Sequence, residues 1–365
     1  MIASGEAECC TRAGHRFRPP TLRWPASRPQ LKRDPLGGNG RVTETEIAPS
    51  RKYHCDRAAP CVRRDCLAAH QEPHDTKGRD VALEVVDWGG RGPPLVFLAG
   101  MGNTAHIYDG FAPQFTDQFH VLGVTRRGFG ASAGAPAPKD LDTLVSDLTS
   151  VLDALDLTQV ILAGHSIAGE ELTRFAEVVP ARCAALIYLD AAYDRTGRAA
   201  FLRAYPLPPP PPFTAADSAS VAAITAGIAR TFRIAVPESE VRAMNRFDRL
   251  GHWQGGVAAD SSFARLEAVI RRPDYERVRC PSLAIYHVAD SVTDEVPYYA
   301  ALDSAGQRQA RKFFHAFEQH PLSRGAFDQF PQNEVIELHH TNHYIFLDRP
   351  TQVARAMRTF LAQRR

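Results

Sequence analysis

From about residue 80 onward, short apolar runs alternate with amphipathic stretches. In the first of these stretches, apolar residues from Leu141 to Leu155 recur at i, i+3, i+4 and i+7, which predicts an amphipathic helix. A second helix is predicted through 172–179. The apolar runs predict strands at 81–86, 95–99, 120–124, 160–163 and 185–189. This β-α-β alternation predicts an α/β fold with a mainly parallel central sheet flanked by helices.

The alternation stops near residue 196 and resumes near residue 281. Helical patterns occupy much of the interval, at 219–232, 238–249 and 263–271. Strand character returns at 281–286 and 334–338, and a last helix begins near Pro350. The pattern therefore predicts one composite domain over 80–365, with a helical insertion at about 196–278.

Residues 1–79 have no sustained period and are rich in Arg and Pro, so we predict a mostly disordered extension. Five of the seven cysteines lie there. Cys55, Cys61, Cys66 and His70 have a spacing that resembles CCCH zinc fingers. Chance scatter is the favoured interpretation, and we predict no metal. With only Cys183 and Cys280 remaining, the domain does not look disulfide-dependent, and Cys183 is predicted to be a core residue.

Composition changes this picture little. The 365 residues carry a net charge of +2, which gives no reason to expect nucleic acid or an anionic membrane as a partner. No apolar run reaches the roughly 18 residues of a membrane-spanning helix. No signal-peptide core is visible either, so we predict a cytoplasmic protein with no membrane partner.

The strongest chemical signal is the segment 164–169, Gly-His-Ser-Ile-Ala-Gly, between a predicted strand and a predicted helix. A serine on such a tight turn has its hydroxyl exposed at the carboxyl edge of the sheet. Small flanking residues allow the two backbones to converge. Ser166 is therefore the candidate nucleophile.

Two further groups follow Ser166 in the order of a Ser-Asp-His triad. Asp290 lies just past the strand at 281–286 and is the predicted acid, with Asp294 and Asp190 as alternatives. His343 lies between the last strand and the last helix and is the predicted base. His339 and His340 are its competitors.

A glycine-rich loop at 98–103, Leu-Ala-Gly-Met-Gly-Asn, follows a buried strand and can direct a backbone N–H at a developing oxyanion. The N–H groups of Met101 and Ile167 are the predicted oxyanion hole. His106, Tyr108 and Trp253 are candidate substrate-binding residues, as is His252. The helix predicted after Ser166 begins with two glutamates, Glu170 and Glu171, whose predicted role is to complement the positive end of that helix.

Taken together, these segments resemble the α/β-hydrolases of the lipase and esterase type. The resemblance covers about 80–365 and also rests on Arg-Arg-Gly-Phe-Gly-Ala-Ser at 126–132, Ala-Asp at 289–290 and Asn-His-Tyr-Ile-Phe-Leu-Asp-Arg-Pro at 342–350. It implies a helical cap over the active site and no cofactor. The chain departs from the family pattern at Ala99, Thr125, Ala168 and His287.

The sequence thus predicts a cofactor-free serine hydrolase that cleaves small carboxylic esters through an acyl-serine intermediate. The same triad could instead serve carbon–carbon bond, lactone or thioester hydrolysis, or perhydrolysis, because a fold does not fix the substrate. A ligand-binding relative with little turnover is the alternative from another class.

Overall fold

The computed structural model describes residues 68–69, 81–320 and 333–363. Most of the predicted extension at 1–79, including Cys55, Cys61, Cys66 and His70, lies outside the described residues. Within the described part of the chain, no helix is long and apolar enough to span a membrane.

Eleven strands and ten helices make up the described regular structure, besides short 3₁₀ turns. The strands are β1 (Ala68–Ala69), β2 (Val81–Ala82), β3 (Val85–Gly89), β4 (Pro94–Leu98), β5 (His120–Val124), β6 (Val160–His165), β7 (Cys183–Leu189), β8 (Asn245–Phe247), β9 (Trp253–Gly256), β10 (Ser282–Val288) and β11 (Asn333–His339). The helices are α1 (Leu141–Ala154), α2 (Ala168–Val178), α3 (Arg198–Ala204), α4 (Val221–Phe232), α5 (Glu238–Met244), α6 (Asp260–Ala268), α7 (Val292–Glu295), α8 (Ser304–Glu318), α9 (Ile345–Asp348) and α10 (Pro350–Ala362).

Seven strands form the central sheet, in the order β11-β10-β7-β6-β4-β5-β3. Every neighbouring pair is parallel except β3 and β5. In parallel pairs the carboxyl ends of the strands share one edge, so the residues that follow β6, β7, β10 and β11 are brought together there. The predicted mainly parallel α/β sheet is confirmed.

Helices cover both faces of the sheet, as its apolar strands require. On one face, Leu148 of α1 and Phe175 of α2 pack in a cluster with Leu162 of β6. On the other, Met357 and Phe360 of α10 join the cluster that contains Leu95 and Phe97 of β4. The central strands are therefore buried from both sides, which holds their carboxyl ends in fixed positions.

Cys183, at the start of β7, is buried as predicted and forms a disulfide with Cys280, just before β10. Their Cα atoms are 6.2 Å apart, although 97 positions separate them in the chain. The sequence analysis did not predict this pair, because the contact arises only when β7 and β10 align in parallel. The disulfide joins the amino ends of these two strands, opposite the edge that carries the site.

The segment 196–278, predicted to be a helical insertion, contains α4, α5 and α6 in the three regions predicted to be helical, and also α3 and a hairpin that were not predicted. The predicted helix at 238–249 ends at Met244, and β8 then pairs antiparallel with β9. The Trp253 indole N–H donates to the Asn245 side-chain oxygen at 2.9 Å and so ties the hairpin together. Helix α8 lies where the sequence analysis made no prediction.

Candidate active site

Ser166 occupies a sharp turn between β6 and α2. Its φ is +56°, a left-handed conformation that is rare for a residue with a side chain. Added methyl groups on Gly164 and Gly169 would lie 2.7 Å from Leu172 and 2.2 Å from the Ala191 carbonyl oxygen. The small residues around Ser166 therefore allow the strand and helix to approach, as the sequence analysis argued.

His343 lies in the loop between β11 and α9 and reaches Ser166. Its Nε2 is 2.9 Å from the Ser166 hydroxyl oxygen. The backbone carbonyl of His343 accepts a hydrogen bond of 2.9 Å from Nε2 of His165, the residue before the serine. Burial holds the pKa of His165 well below 6.5, so this imidazole is neutral and donates through Nε2. The structure therefore brings Ser166 and His343 together as predicted.

The carboxylate that contacts His343 is Asp190, not the predicted Asp290. Asp190 directly follows the last residue of β7, and its Oδ2 accepts from Nδ1 of His343. The side chain of Asp190 is 1% exposed. Asp190 also has a positive φ of +51°, so it shares with Ser166 a left-handed conformation directly after a strand.

Asp290 lies on the surface, where it accepts from Nδ1 of His339 at 2.9 Å and from the backbone N–H of His340 at 2.9 Å. Asp294 accepts from the Asp290 backbone N–H at 3.1 Å. The prediction of Asp290 as the partner of His343 is wrong: one residue separates it from the end of β10, and its side chain binds His339 and His340 on the surface instead. The alternative Asp190 has the required contact.

Four donors surround the buried Asp190 carboxylate. His343 and His287 each donate from Nδ1 to Oδ2, and Oδ1 accepts from the Tyr193 hydroxyl and the His287 backbone N–H. Burial alone would raise the pKa of Asp190, but attraction to His287 and the two imidazole hydrogen bonds hold it well below its usual value. Asp190 is therefore ionised at neutral pH and can hold the His343 imidazole in one orientation.

The glycine-rich loop at 98–103 passes directly beside the serine turn. An added methyl on Gly100 would lie 3.4 Å from the Ser166 Cβ and 2.7 Å from His165 Nδ1. Met101, the next residue, packs in the same apolar cluster as Ile167. The two predicted oxyanion-hole residues thus lie close to the serine turn, Met101 on the loop and Ile167 directly after Ser166.

Arg126 holds the glycine-rich loop at 98–103 through hydrogen bonds to its backbone. Its guanidinium donates to the carbonyl oxygens of Ala99 at 2.8 Å and Gly100 at 3.4 Å and forms a buried ion pair with Glu171. In a trans peptide the carbonyl and the following N–H point in opposite directions. With the Gly100 carbonyl held by Arg126, the Met101 N–H faces the opposite side of the loop.

Helix α5, in the segment predicted to be an insertion, contacts the same loop. Glu240 of α5 accepts from the Asn103 amide at 3.0 Å and from the Thr104 backbone N–H at 3.0 Å. The Asn103 side-chain oxygen in turn accepts from the hydroxyl of Tyr344, which follows His343. Burial raises the pKa of Glu240 to about 7 against these hydrogen bonds. One carboxyl of the insertion thus links the glycine-rich loop to the loop of His343.

Two of the predicted substrate-binding residues are core residues instead. Tyr108 is fully buried and donates to the Leu98 carbonyl at 3.0 Å. His106 is 4% exposed and lies between Asp109 and Glu84, at 2.8 and 3.3 Å. Burial lowers the pKa of His106, but the hydrogen bonds to the two carboxylates raise it to about 10. For both residues the prediction of a pocket-lining role is wrong.

Trp253 and His252 lie in the hairpin of the insertion. Trp253 is half-buried against an apolar cluster of the insertion, and His252 pairs with Asp248 at 3.2 Å. A substrate contact for Trp253 stays a prediction. Glu170 and Glu171 lie in the first turn of α2 as predicted, but both are buried, and Glu171 serves chiefly as the partner of Arg126.

Two groups of described residues have ligand atoms close enough together to hold a metal ion: Asp190, His287 and His343, and, on the surface, Asp290, Asp294 and His340. In the first group the three side chains are already joined by hydrogen bonds. The sequence analysis did not assign roles to Tyr193, Arg126 or Glu240. It named His287 only as a departure from the family pattern.

The comparisons with known proteins agree with this fold. The sequence profile of the alpha/beta hydrolase family matches residues 95–356. A non-heme chloroperoxidase of Streptomyces lividans is 28% identical over 261 residues, which cover 67% of this chain and 90% of that protein. A protein described as a non-heme haloperoxidase, from Mycobacterium phage D29, is 33% identical over 104 residues, which cover 28% of this chain and 37% of that protein.

Among solved structures, that of E-2-(acetamidomethylene)succinate hydrolase superposes with a TM-score of 0.55 at 17% identity, covering 77% of this chain and 95% of that one. This likeness bears on the fold alone. The family profile covers most of the chain and includes the turn of Ser166 and the loop of His343. The chain therefore belongs to the alpha/beta hydrolase family.

Proposed function

We propose that this protein is a serine hydrolase that cleaves small carboxylic esters through an acyl-serine intermediate. The observation that carries the proposal is the hydrogen-bonded series Ser166–His343–Asp190, with 2.9 Å between the serine oxygen and the imidazole. A serine hydroxyl is a poor nucleophile until a base removes its proton. The family membership and the named relatives support a hydrolytic enzyme in general.

In the first step the Ser166 oxygen attacks the ester carbonyl while its proton moves to Nε2 of His343. Asp190 stabilises the imidazolium that forms, and it accepts from Nδ1 throughout. The negative charge on the substrate oxygen would be bound by the N–H groups of Met101 and Ile167. His343 then returns the proton to the leaving alcohol, and a water molecule repeats the sequence to release the acid.

Labelling with a fluorophosphonate probe tests this proposal, because the probe phosphonylates an activated serine. We expect labelling of the wild type and loss of at least about 10³-fold in labelling rate for Ser166→Ala and His343→Ala. The matched control is His339→Ala, which removes an exposed imidazole four residues before His343 and is expected to label like the wild type. No labelling of folded wild type would contradict the proposal and favour a ligand-binding role.

A screen with p-nitrophenyl esters of increasing acyl length then addresses the substrate class. The same triad could hydrolyse esters, lactones, thioesters or carbon–carbon bonds, so each class needs its own assay. The ester proposal predicts the highest kcat/KM for a short acyl chain, together with burst release of nitrophenol when deacylation is slow.

Perhydrolysis is the second candidate function, and the similarity to the Streptomyces chloroperoxidase over 90% of that protein favours it. Here hydrogen peroxide in place of water attacks the acyl-serine, releasing a peroxyacid and free Ser166. The assay is bromination of monochlorodimedone in acetate, bromide and hydrogen peroxide. Activity that needs both acetate and Ser166 would support this candidate, while ester hydrolysis without bromination would exclude it.

A further inference from the structure

His287, near the end of β10, lies directly behind the proposed triad. Its Nδ1 is 2.8 Å from Oδ2 of Asp190, and its Nε2 is 3.2 Å from Oε2 of Glu295 on α7. Its backbone N–H also reaches Oδ1 of Asp190 at 3.2 Å. The side chain is 10% exposed, so these contacts are largely shielded from water.

His287 contacts the same Asp190 oxygen that accepts from His343, the proposed base. Oδ2 of Asp190 accepts from His287 and from His343 at once, and the two imidazole rings lie 6.1 Å apart at a steep angle. A carboxylate that accepts from one side only can rotate about its Cβ–Cγ bond. With His287 on one side and Tyr193 on the other, the Asp190 carboxylate has one orientation, which directs Oδ2 at His343.

The charged groups around His287 indicate the protonation state of its ring. The titratable groups that face it are Asp190, Glu295 and His343, and Arg198 interacts electrostatically with Glu295 from α3. Burial alone would lower the pKa of His287, but attraction to Asp190 and hydrogen bonds to Asp190 and Glu295 raise it well above 6.5. Glu295 thus supplies the second carboxylate that keeps this ring protonated.

We propose that His287 is a positioning residue of the triad: as an imidazolium held between Asp190 and Glu295, it orients the carboxylate that supports His343. The proposal rests on the proposed function, since it assigns a role within the same reaction. In the sequence analysis this residue is named only as a departure from the family pattern. The Asp190–His287–Glu295 group carries one net negative charge, as a single carboxylate would.

A positive charge at His287 has a consequence for the pH dependence of the reaction. His343 must be neutral to accept the serine proton, and a neighbouring cation disfavours a second positive charge on it. The charge on His287 therefore opposes protonation of the base. Removal of its charge should move the acidic limb of the kcat/KM profile upward by about one pH unit, given the separation of the rings.

Two substitutions separate charge from hydrogen bonding. In His287→Asn the amide can still donate to Asp190 but carries no charge, whereas His287→Leu removes both. We expect His287→Asn to keep the plateau of kcat/KM within about threefold and to raise the acidic limb. His287→Leu should raise the limb similarly and also lower the plateau by about 10–100-fold, because Asp190 loses a charge-assisted hydrogen bond.

The matched control is His120→Asn, which removes an imidazole paired with Asp87 at the amino end of β5, at the opposite edge of the sheet. Its profile should superpose on that of the wild type. Profiles of both His287 variants that match the wild type overturn the proposal. A lowered plateau with an unmoved limb also overturns it, because packing at the strand end alone would then explain the loss.

A spectroscopic measurement separates this proposal from the proposed function. Nitrogen-15 chemical shifts of the histidine rings should report both nitrogens of His287 as protonated at pH 8 in the wild type and in Ser166→Ala. A neutral His287 ring overturns the positioning role even if Ser166 reacts with the probe. Conversely, a wild type that is not labelled refutes the serine hydrolase while the His287 spectrum is still interpretable.

Discussion

The carboxyl ends of β7 and β10 carry one aspartate each, and the structure treats them differently. Asp190 directly follows β7, is buried and accepts from four donors. Asp290 follows β10 after one intervening residue, is exposed and binds two surface groups of the β11 end. The strands are parallel neighbours. A position at the carboxyl edge of the sheet therefore does not by itself bring an aspartate to His343. Here the aspartate that directly follows its strand contacts His343, and the one that follows after a further residue does not.

The difference also has an energetic side. A buried carboxylate needs several donors to stay charged, and Asp190 has them. The end of β10 presents His287, whose side chain faces Asp190, and the next acidic residue along the chain is already in the surface turn. Strand β10, which precedes the predicted acid Asp290, thus supplies His287 as a partner of Asp190, the aspartate that follows β7.

The sharpest test of this comparison is a matched pair of substitutions. We expect Asp190→Asn to lower kcat by about 10³–10⁴-fold, because an amide cannot hold the His343 tautomer or stabilise its cation. Asp290→Asn, the same change at the neighbouring strand end, should leave kcat within about twofold. Steady-state kinetics on a nitrophenyl ester measure both. Comparable losses for the two variants would remove the distinction between the two ends.

A smaller effect sharpens the account of the Asp190 side. Tyr193→Phe removes one hydroxyl donor from Oδ1 and should lower kcat/KM by about tenfold, since hydrogen bonds to charged groups are worth more than neutral ones. The control is Tyr286→Phe, which removes a hydroxyl that donates to the Ala192 carbonyl from a ring 5.2 Å away. We expect little loss there. Equal losses would indicate general packing and not support of Asp190.

The smallest expected effect concerns the exposed pair at the other strand end. The hydrogen bond to Asp290 raises the pKa of His339 above its ordinary 6.5. In Asp290→Asn that carboxylate is gone, so the pKa of His339 should fall back, while Asp190→Asn should leave it where it is. Proton NMR titration of the His339 ring measures this. An unmoved His339 titration in Asp290→Asn would show that the surface pair does not persist in solution.

The sequence by itself determined the fold and much of the site. The alternation of apolar strands and amphipathic helices specified the mainly parallel sheet, because each period is a local property of the chain. The glycine setting of Ser166 and the position of His343 between a strand and a helix identified two groups that the structure joins at 2.9 Å. The family membership inferred from these motifs is confirmed.

The tertiary structure alone decided which carboxylate completes the series and which polar residues are buried. Asp190 and Asp290 both follow strands, and no local period distinguishes the direction of a side chain after the strand ends. His106 and Tyr108 follow the glycine-rich loop, yet packing and carboxylate partners place them in the core. The Cys183–Cys280 pair, like His287 beside Asp190, depends on the alignment of β7 with β10. Such contacts join residues about a hundred positions apart, so sequence patterns, which are local, do not contain them.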